Sequence, residues 1–275
     1  KYVEFVPGML GDHRANKELG LKLNASIGAN FQGFRIVVQP QVYAESGRIF
    51  GGEVLLRWDC DGEAVPPSTF VPALEQMGLM VAVGKWQIEQ AVRLCREILP
   101  LCPNFRLSFN ISYLQIVDQN LFPFLARILK ENGVPGENLL IELTESHSDT
   151  LPKQLEDFIQ QCKGLGIAFG LDDFGNGYSG VQMLLKHPMD LVKFDRSMLE
   201  EVAHSKEKLD FIINTIQTCH QFHKKVCVEG VEDGQELALA RQTKCDFIQS
   251  FYFYKPLEIT ELLELLEQEA NREEG

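Results

Sequence analysis

Glu53, Asn110, Glu142, Asp172, Asp173, Lys193, Glu229 and Gln249 are the side chains of this sequence best able to do chemistry together. Each lies within or at the end of an apolar, strand-like segment, where Asp, Asn and Glu are normally disfavoured. A buried ionised carboxylate costs several kcal/mol unless it is paired or bound to a metal. Taken singly, each has a bland explanation. One acid in a strand is more often an edge charge or a salt-bridge partner, Asp172–Asp173 could cap a turn, and Lys193 could be a barrel ion-pair residue. Seven successive segments with the same placement require a common cause.

Carboxylate and amide oxygens favour hard cations such as Mg²⁺ or Mn²⁺, and no His or Cys joins the set to favour zinc. The acids exceed what one octahedral ion requires. Two ions roughly 3.5–4 Å apart could share a bridging Asp, activate a water and stabilise the leaving oxygen of an in-line displacement. Lys193 could position that water or help deprotonate it. The chemistry is metal-assisted phosphoryl hydrolysis, and no organic cofactor is called for.

The elements that must position these groups alternate in type. Strands are expected at Arg35–Ala44, Phe50–Trp58, Phe105–Ser112, Leu139–Ser146, Ile167–Phe174, Leu191–Asp195, Lys225–Val231 and Phe247–Tyr254. Helical spacing links Leu121, Leu125, Ile128 and Leu129, and again Leu209, Ile212, Ile213, Ile216 and Cys219. Met80–Leu99 and Ile259–Ala270 also read as helices. Eight strands with intervening helices predict an α/β fold, a TIM-like (β/α)8 barrel, with polar groups at the C-terminal strand ends forming the site. Only Glu45–Ser46–Gly47–Arg48 separates the first two strands. That is hairpin chemistry, so the barrel should begin irregularly, with one of the two strands antiparallel.

The chain has 275 residues and a net charge of −13; 45% of its residues are hydrophobic and 24% charged. This is a globular composition without the basic stripe of a nucleic-acid-polymer binder. An acidic pocket can still take a phosphate once metal ions reverse its local sign. Seven scattered cysteines form no CxxC pair and read as reduced thiols, consistent with a cytoplasmic domain. The opening Lys1 implies an excised piece of a longer chain, which could itself be membrane-anchored. Residues 1–30 are expected to form a connector helix from an upstream domain, and 31–275 the barrel. Leu19, Leu23 and Ile27 stripe that helix for packing either on the barrel or against a second copy.

From about Gly33 to Glu258 the sequence resembles the EAL-domain family of bacterial cyclic-di-GMP phosphodiesterases. Its motifs appear in family order: Glu53-Val54-Leu55-Leu56-Arg57-Trp58, Phe109-Asn110-Ile111-Ser112, Glu142-Leu143-Thr144-Glu145-Ser146, Asp172-Asp173-Phe174-Gly175, Lys193-Phe194-Asp195, Glu229-Gly230-Val231-Glu232, and Gln249 with Lys255-Pro256. The resemblance implies that Glu53, Asn110, Glu142 and Asp172 hold one metal. Asp172 would bridge to a second ion held by Asp173 and Glu229. Lys193 and Gln249 would sit at the nucleophilic water, and Glu145 would anchor the Gly-rich loop. Arg57, Gln39, Asp195 and Glu232 would contact cyclic di-GMP, which would leave as linear pGpG. The family also implies a homodimer, and Tyr2-Val3-Glu4-Phe5 with Met9-Leu10 resembles the tail of an upstream GGDEF domain. Val54, Asn176, Gly180 and Ser250 depart from the usual Ala, Thr, Ser and Gly. None of them removes an expected ligand.

Three other readings compete. Gly175-Asn176-Gly177-Tyr178-Ser179-Gly180 fits a dinucleotide-binding GxGxxG, with Asp195 at the ribose-acid spacing. Asp172 and Asp173 would then face the pyrophosphate, and the motif follows the fifth strand instead of the first. His220 and His223 share a helix but lack further ligands, so a solvated face is expected. A catalytically silent cyclic-di-GMP receptor is the main rival, and the complete ligand set argues against it.

Overall fold

Residues 8–144, 153–175, 184–200, 202 and 205–274 are described by the structure, a computed structural model. Glu145, Asn176 and Gly180 lie outside them. The strands are β1 (Phe34–Tyr43), β2 (Ile49–Cys60), β3 (Glu63–Val65), β4 (Arg106–Asn110), β5 (Leu139–Thr144), β6 (Ala168–Phe174), β7 (Leu191–Phe194), β8 (Lys225–Glu229) and β9 (Phe247–Gln249). They pair in the order β1-β9-β8-β7-β6-β5-β4-β2-β3, and a further β1–β2 pairing closes the ring. The result is the expected barrel of eight strands, with β3 outside it as a flap on β2.

β1 is the strand that runs against the others, antiparallel to both β2 and β9, while every remaining pair in the ring is parallel. The short turn explains it. Tyr43 N–H donates to Arg48 O at 2.9 Å, and Gly47 takes a left-handed φ of 74° that a side chain would resist. Asp61 and Gly62 make a second such turn, with φ of 55° and 85°, and fold β3 back onto β2. An Asp-Gly pair with both φ positive is a preferred two-residue hairpin loop, so this unexpected flap carries a local signal in the sequence. β9 is shorter than expected because the chain turns past Gln249, where Tyr254 N–H donates to Ser250 O at 3.0 Å.

The pleat sorts each strand into two faces. Phe109, Ile141, Leu143, Phe169, Leu171, Val192, Val226, Val228 and Ile248 point outward into the main core beneath the helices. Leu140, Ala168, Leu191 and Cys227 point inward and, with Phe247, plug one end of the barrel with apolar atoms. A third cluster lies outside β1 and β2. Leu23, from the helix Gly8–Gly28, meets Phe34, Leu56, Trp58, Phe70, Leu74, Met80 and Val83 there, with Leu19 and Ile27 at its margin. The apolar stripe of that helix therefore packs against the barrel of its own chain.

Candidate metal centre

Above the apolar plug, the inward positions of consecutive strands are polar. Register places Gln39 opposite Glu53, Asn110 opposite Glu142, and Glu229 opposite Gln249. Asp172 and Asp173 are adjacent in sequence, and a regular pleat would send them to opposite faces. The β6–β7 register breaks between Leu171 and Phe174, and Asp173 takes a left-handed φ of 57°. Asp tolerates the conformation better than most residues, because its short side chain can hydrogen-bond locally. Asp173 borders neither the cluster of Glu53, Glu142 and Asp172 nor its cleft, but its carboxyl feels the charges of Asp172, Lys193 and Glu53.

Lys193 is the hub. Its Nζ lies 2.9 Å from Glu53 Oε2, 2.9 Å from Glu142 Oε2, 3.2 Å from Asp172 Oδ1 and 2.8 Å from Glu229 Oε1. The ammonium is 1% exposed. Glu53 also accepts from Asn110 Nδ2 at 2.7 Å and from Gln249 Nε2 at 2.7 Å. Gln249 Nε2 reaches Gln39 Oε1 at 3.2 Å, and Gln41 Nε2 donates to Gln249 Oε1 at 2.6 Å. Oxygens of Glu53, Glu142 and Asp172 lie within 4.8 Å of one another, close enough to share an ion. Asn110 Oδ1 is buried and has no donor among the described residues.

Burial pushes most of these acids upward. Glu142 is raised well above the ordinary carboxylate range by desolvation and by the charges of Glu53 and Asp172, against the pull of Lys193. Asp172 rises by burial, opposed by Lys193, and Asp173 rises by burial and then by Asp172 and Asp195. Glu229, raised chiefly by desolvation, reaches about 7. Glu53 is the exception: burial acts to raise it, but Lys193 and the hydrogen bonds from Gln249 and Asn110 hold it below its ordinary value. Burial would lower Lys193, yet the four surrounding carboxylates raise it well above the usual ammonium range.

Residues 23–256 match the family described as the EAL domain. The chain belongs to the EAL domain family. A relative, the oxygen sensor protein DosP of Escherichia coli K12, is 30% identical over 263 residues, covering 94% of this chain and 32% of DosP. Cyclic di-GMP phosphodiesterase PdeR of the same organism is 30% identical over 220 residues, covering 80% of this chain and 33% of PdeR. The chain thus spans about a third of the length of these curated relatives. The PaMucR phosphodiesterase in its c-di-GMP complex superposes with a TM-score of 0.82 at 26% identity, covering 89% of this chain and 99% of that one.

In this EAL domain the acids open into a cleft with two lobes that share Leu55 and Asp172. One lobe, of about 330 Å³, is bordered by Gln39, Glu53, Lys193, Glu229, Glu232 and Gln249. The other, of about 310 Å³, is bordered by Arg57, Asn110 and the apolar Leu56, Val71 and Met80. Arg57 donates to Leu56 O at 2.9 Å. Asp195 borders neither lobe; its Oδ1 accepts from Ser197 N–H at 2.9 Å, and its charge acts on Asp173. Arg196 and Phe251 border the first lobe and were missed by sequence reasoning. Arg196 pairs with Glu232, and a cation directly after the Lys193 strand was its signal. Val54 packs in the outer core and also borders the second lobe, so its departure from Ala bears on the wall of that lobe. His220 Nε2 meets Asp246 Oδ2 at 2.8 Å, which gives that histidine a structural partner where a solvated face was expected.

Proposed function

We propose that this chain is a metal-dependent phosphodiesterase that opens cyclic di-GMP to linear pGpG. The observation that carries the reading is the meeting of Glu53, Glu142, Asp172 and Glu229 around one buried point, in a family whose members include PdeR, named as a cyclic di-GMP phosphodiesterase.

The residues fit a pair of hard divalent ions. Every donor is an oxygen, and the buried Asn110 Oδ1 lacks a partner among the described residues. Glu53, Glu142, Asp172, Asp173 and Glu229 against Lys193 leave four negative charges when all are ionised, which two divalent ions would neutralise. Glu53, Asn110, Glu142 and Asp172 would hold one Mg²⁺ or Mn²⁺, and Asp172, Asp173 and Glu229 the second. Such ions, when bound, supply a water ionised near neutral pH and charge neutralisation at the phosphate.

The chain's own residues do the rest. Lys193, kept as an ammonium by its acidic neighbours, donates hydrogen bonds and orients the attacking water. Gln249 holds Glu53 in place through Nε2 and is itself held by Gln41. Arg57 offers a planar fork to a phosphate in the second lobe. Gln39 and Glu232 border the first lobe and contact the dinucleotide there, and Asp195 acts through Asp173. The two lobes suit the two halves of a dinucleotide. The reading extends to a homodimer, to an upstream GGDEF-type domain in the parent chain and to a cytoplasmic site of action. No helix among the described residues is long and apolar enough to cross a membrane.

The test is incubation of the purified chain with cyclic di-GMP and Mg²⁺ or Mn²⁺, beside a chelator and Glu53→Ala, with chromatographic resolution of products. Metal-dependent pGpG that disappears in the variant is the expected result. Tight binding with intact substrate would replace the enzyme by a receptor. Light scattering on the same sample tests the dimer.

A further inference from the structure

We propose that the helix Gly8–Gly28 is a working part of the cleft, and that Leu23 and Ser26 are positioning residues for Arg57. The inference rests on the functional reading above only in naming cyclic di-GMP as the ligand. The family match begins at residue 23, so most of this helix precedes it.

Three contacts lead from the helix to the cleft. Leu23 is fully buried in a cluster with Leu56, Trp58 and Met80, and Leu56 and Met80 also border the second lobe. Trp58 Nε1 donates to Ser26 Oγ at 3.1 Å, which ties the indole beside Arg57 directly to the helix. Gly20 lies against the Met77 side chain, in the turn after the helix Pro67–Gln76; a Cβ there would run into the Met77 thioether. That second helix supplies Pro67 and Val71 to the lobe. One wall is therefore shared: its inner side meets the ligand, and its outer side is the apolar stripe of the helix.

Arg57 is held between Leu56 and Trp58, both anchored in this cluster. Past Val54 the β2 strand leaves β4 and keeps β1 and the short β3 as its partners. The outer packing is thus a principal constraint on where the guanidinium fork points. A fork displaced by a fraction of an ångström loses bidentate geometry before it loses charge. The metal ligands sit on other strands or deeper on β2, so slack in this wall should weaken ligand capture and spare the chemical step.

The experiment compares Ser26→Ala, Ser26→Thr and Leu23→Ala with the unaltered chain. KM and kcat are read for cyclic di-GMP with Mn²⁺, and Kd is read by calorimetry in chelator, where nothing is cut. Loss of one hydrogen bond at this wall predicts a rise in KM and Kd of about 3- to 10-fold for Ser26→Ala, with kcat held within about 2-fold. Ser26→Thr keeps the hydroxyl and restores both constants, and Leu23→Ala raises them further. Unchanged KM and Kd in folded Ser26→Ala and Leu23→Ala overturn the proposal, as does a fall in kcat at constant KM. If the unaltered chain binds cyclic di-GMP without cutting it, the functional reading falls while the Kd comparison still decides the role of the helix. If it neither binds nor cuts, both fall.

Discussion

Lys193 Nζ stands 2.9 Å from Glu142 Oε2, and the two side chains are 1% and 0% exposed. A pair buried this deeply is expensive to break, because removing one partner strands the other charge. Lys193→Met should destabilise the metal-free chain by about 3–5 kcal/mol. The gap should narrow with Mn²⁺ present, since bound cations replace the lost charge. Denaturant melts of both proteins, with chelator and with Mn²⁺, check this. With Mn²⁺ present, turnover should fall by at least about 10²-fold, because Lys193 is the one lysine among the described residues that borders the cleft.

Asp173 separates folding from function. Its left-handed φ of 57° means that the backbone alone would accept glycine more readily than aspartate. Asp173→Gly should leave stability within about 1 kcal/mol of the parent, or raise it slightly. The same change removes a carboxylate proposed for the second ion, so the Mn²⁺ concentration giving half-maximal turnover should rise at least about tenfold. Lost stability with unaltered metal dependence would make Asp173 a structural residue instead.

Much of this site was legible because strand chemistry has a period of two. An acid inside an apolar strand is conspicuous, and Glu53, Glu142 and Glu229, which the fold brings to one ammonium, stand out in the sequence for that reason. Lys193 stands out too, as a water-positioning group or a barrel ion-pair residue, but the sequence does not show its depth amid four carboxylates. That arrangement comes from barrel closure, which brings residues 53 and 229 within reach of one ammonium. Closure itself was expected, and the antiparallel β1 followed from a four-residue turn. Local backbone departures were harder to read. The bulge at Asp173 leaves no compositional mark, and the Trp58–Ser26 bond joins residues 32 apart with no motif between them.

Away from the site, Asp246 knits the start of β8 to the end of the preceding helix. Its Oδ2 accepts from Val226 N–H at 2.9 Å and meets His220 Nε2, while Oδ1 accepts from Lys225 at 2.7 Å. Burial acts to raise this carboxyl, but Lys225, the Val226 amide and His220 bring it below its ordinary value. A folded-state value depressed in this way adds stability that is present above the unfolded value. The contribution is lost as pH falls through the folded one. Asp246→Asn should therefore cost about 1–3 kcal/mol at pH 7, and the difference from the parent should shrink below about pH 4. Paired melts across pH 3–7 measure it, and a gap that widened toward acid would contradict the sign.

Metal removal probes the carboxylate cluster without any change of sequence. Burial raises Glu142, Asp172 and Glu229, so keeping these carboxylates ionised carries a desolvation cost that bound cations would relieve. A ligand that binds only the folded state at 100 times its Kd stabilises that state by about 2.7 kcal/mol. Saturating Mg²⁺ or Mn²⁺ should thus raise Tm by on the order of 5 °C over chelator. Glu53→Ala should abolish most of that rise, since Glu53 belongs to the set that would hold the first ion. Ser26→Ala should keep it, because Ser26 lies outside the barrel with no ligand beside it. A rise of equal size in all three proteins would place the metal effect elsewhere on the acidic surface. The phosphodiesterase reading would then need a different site for its ions.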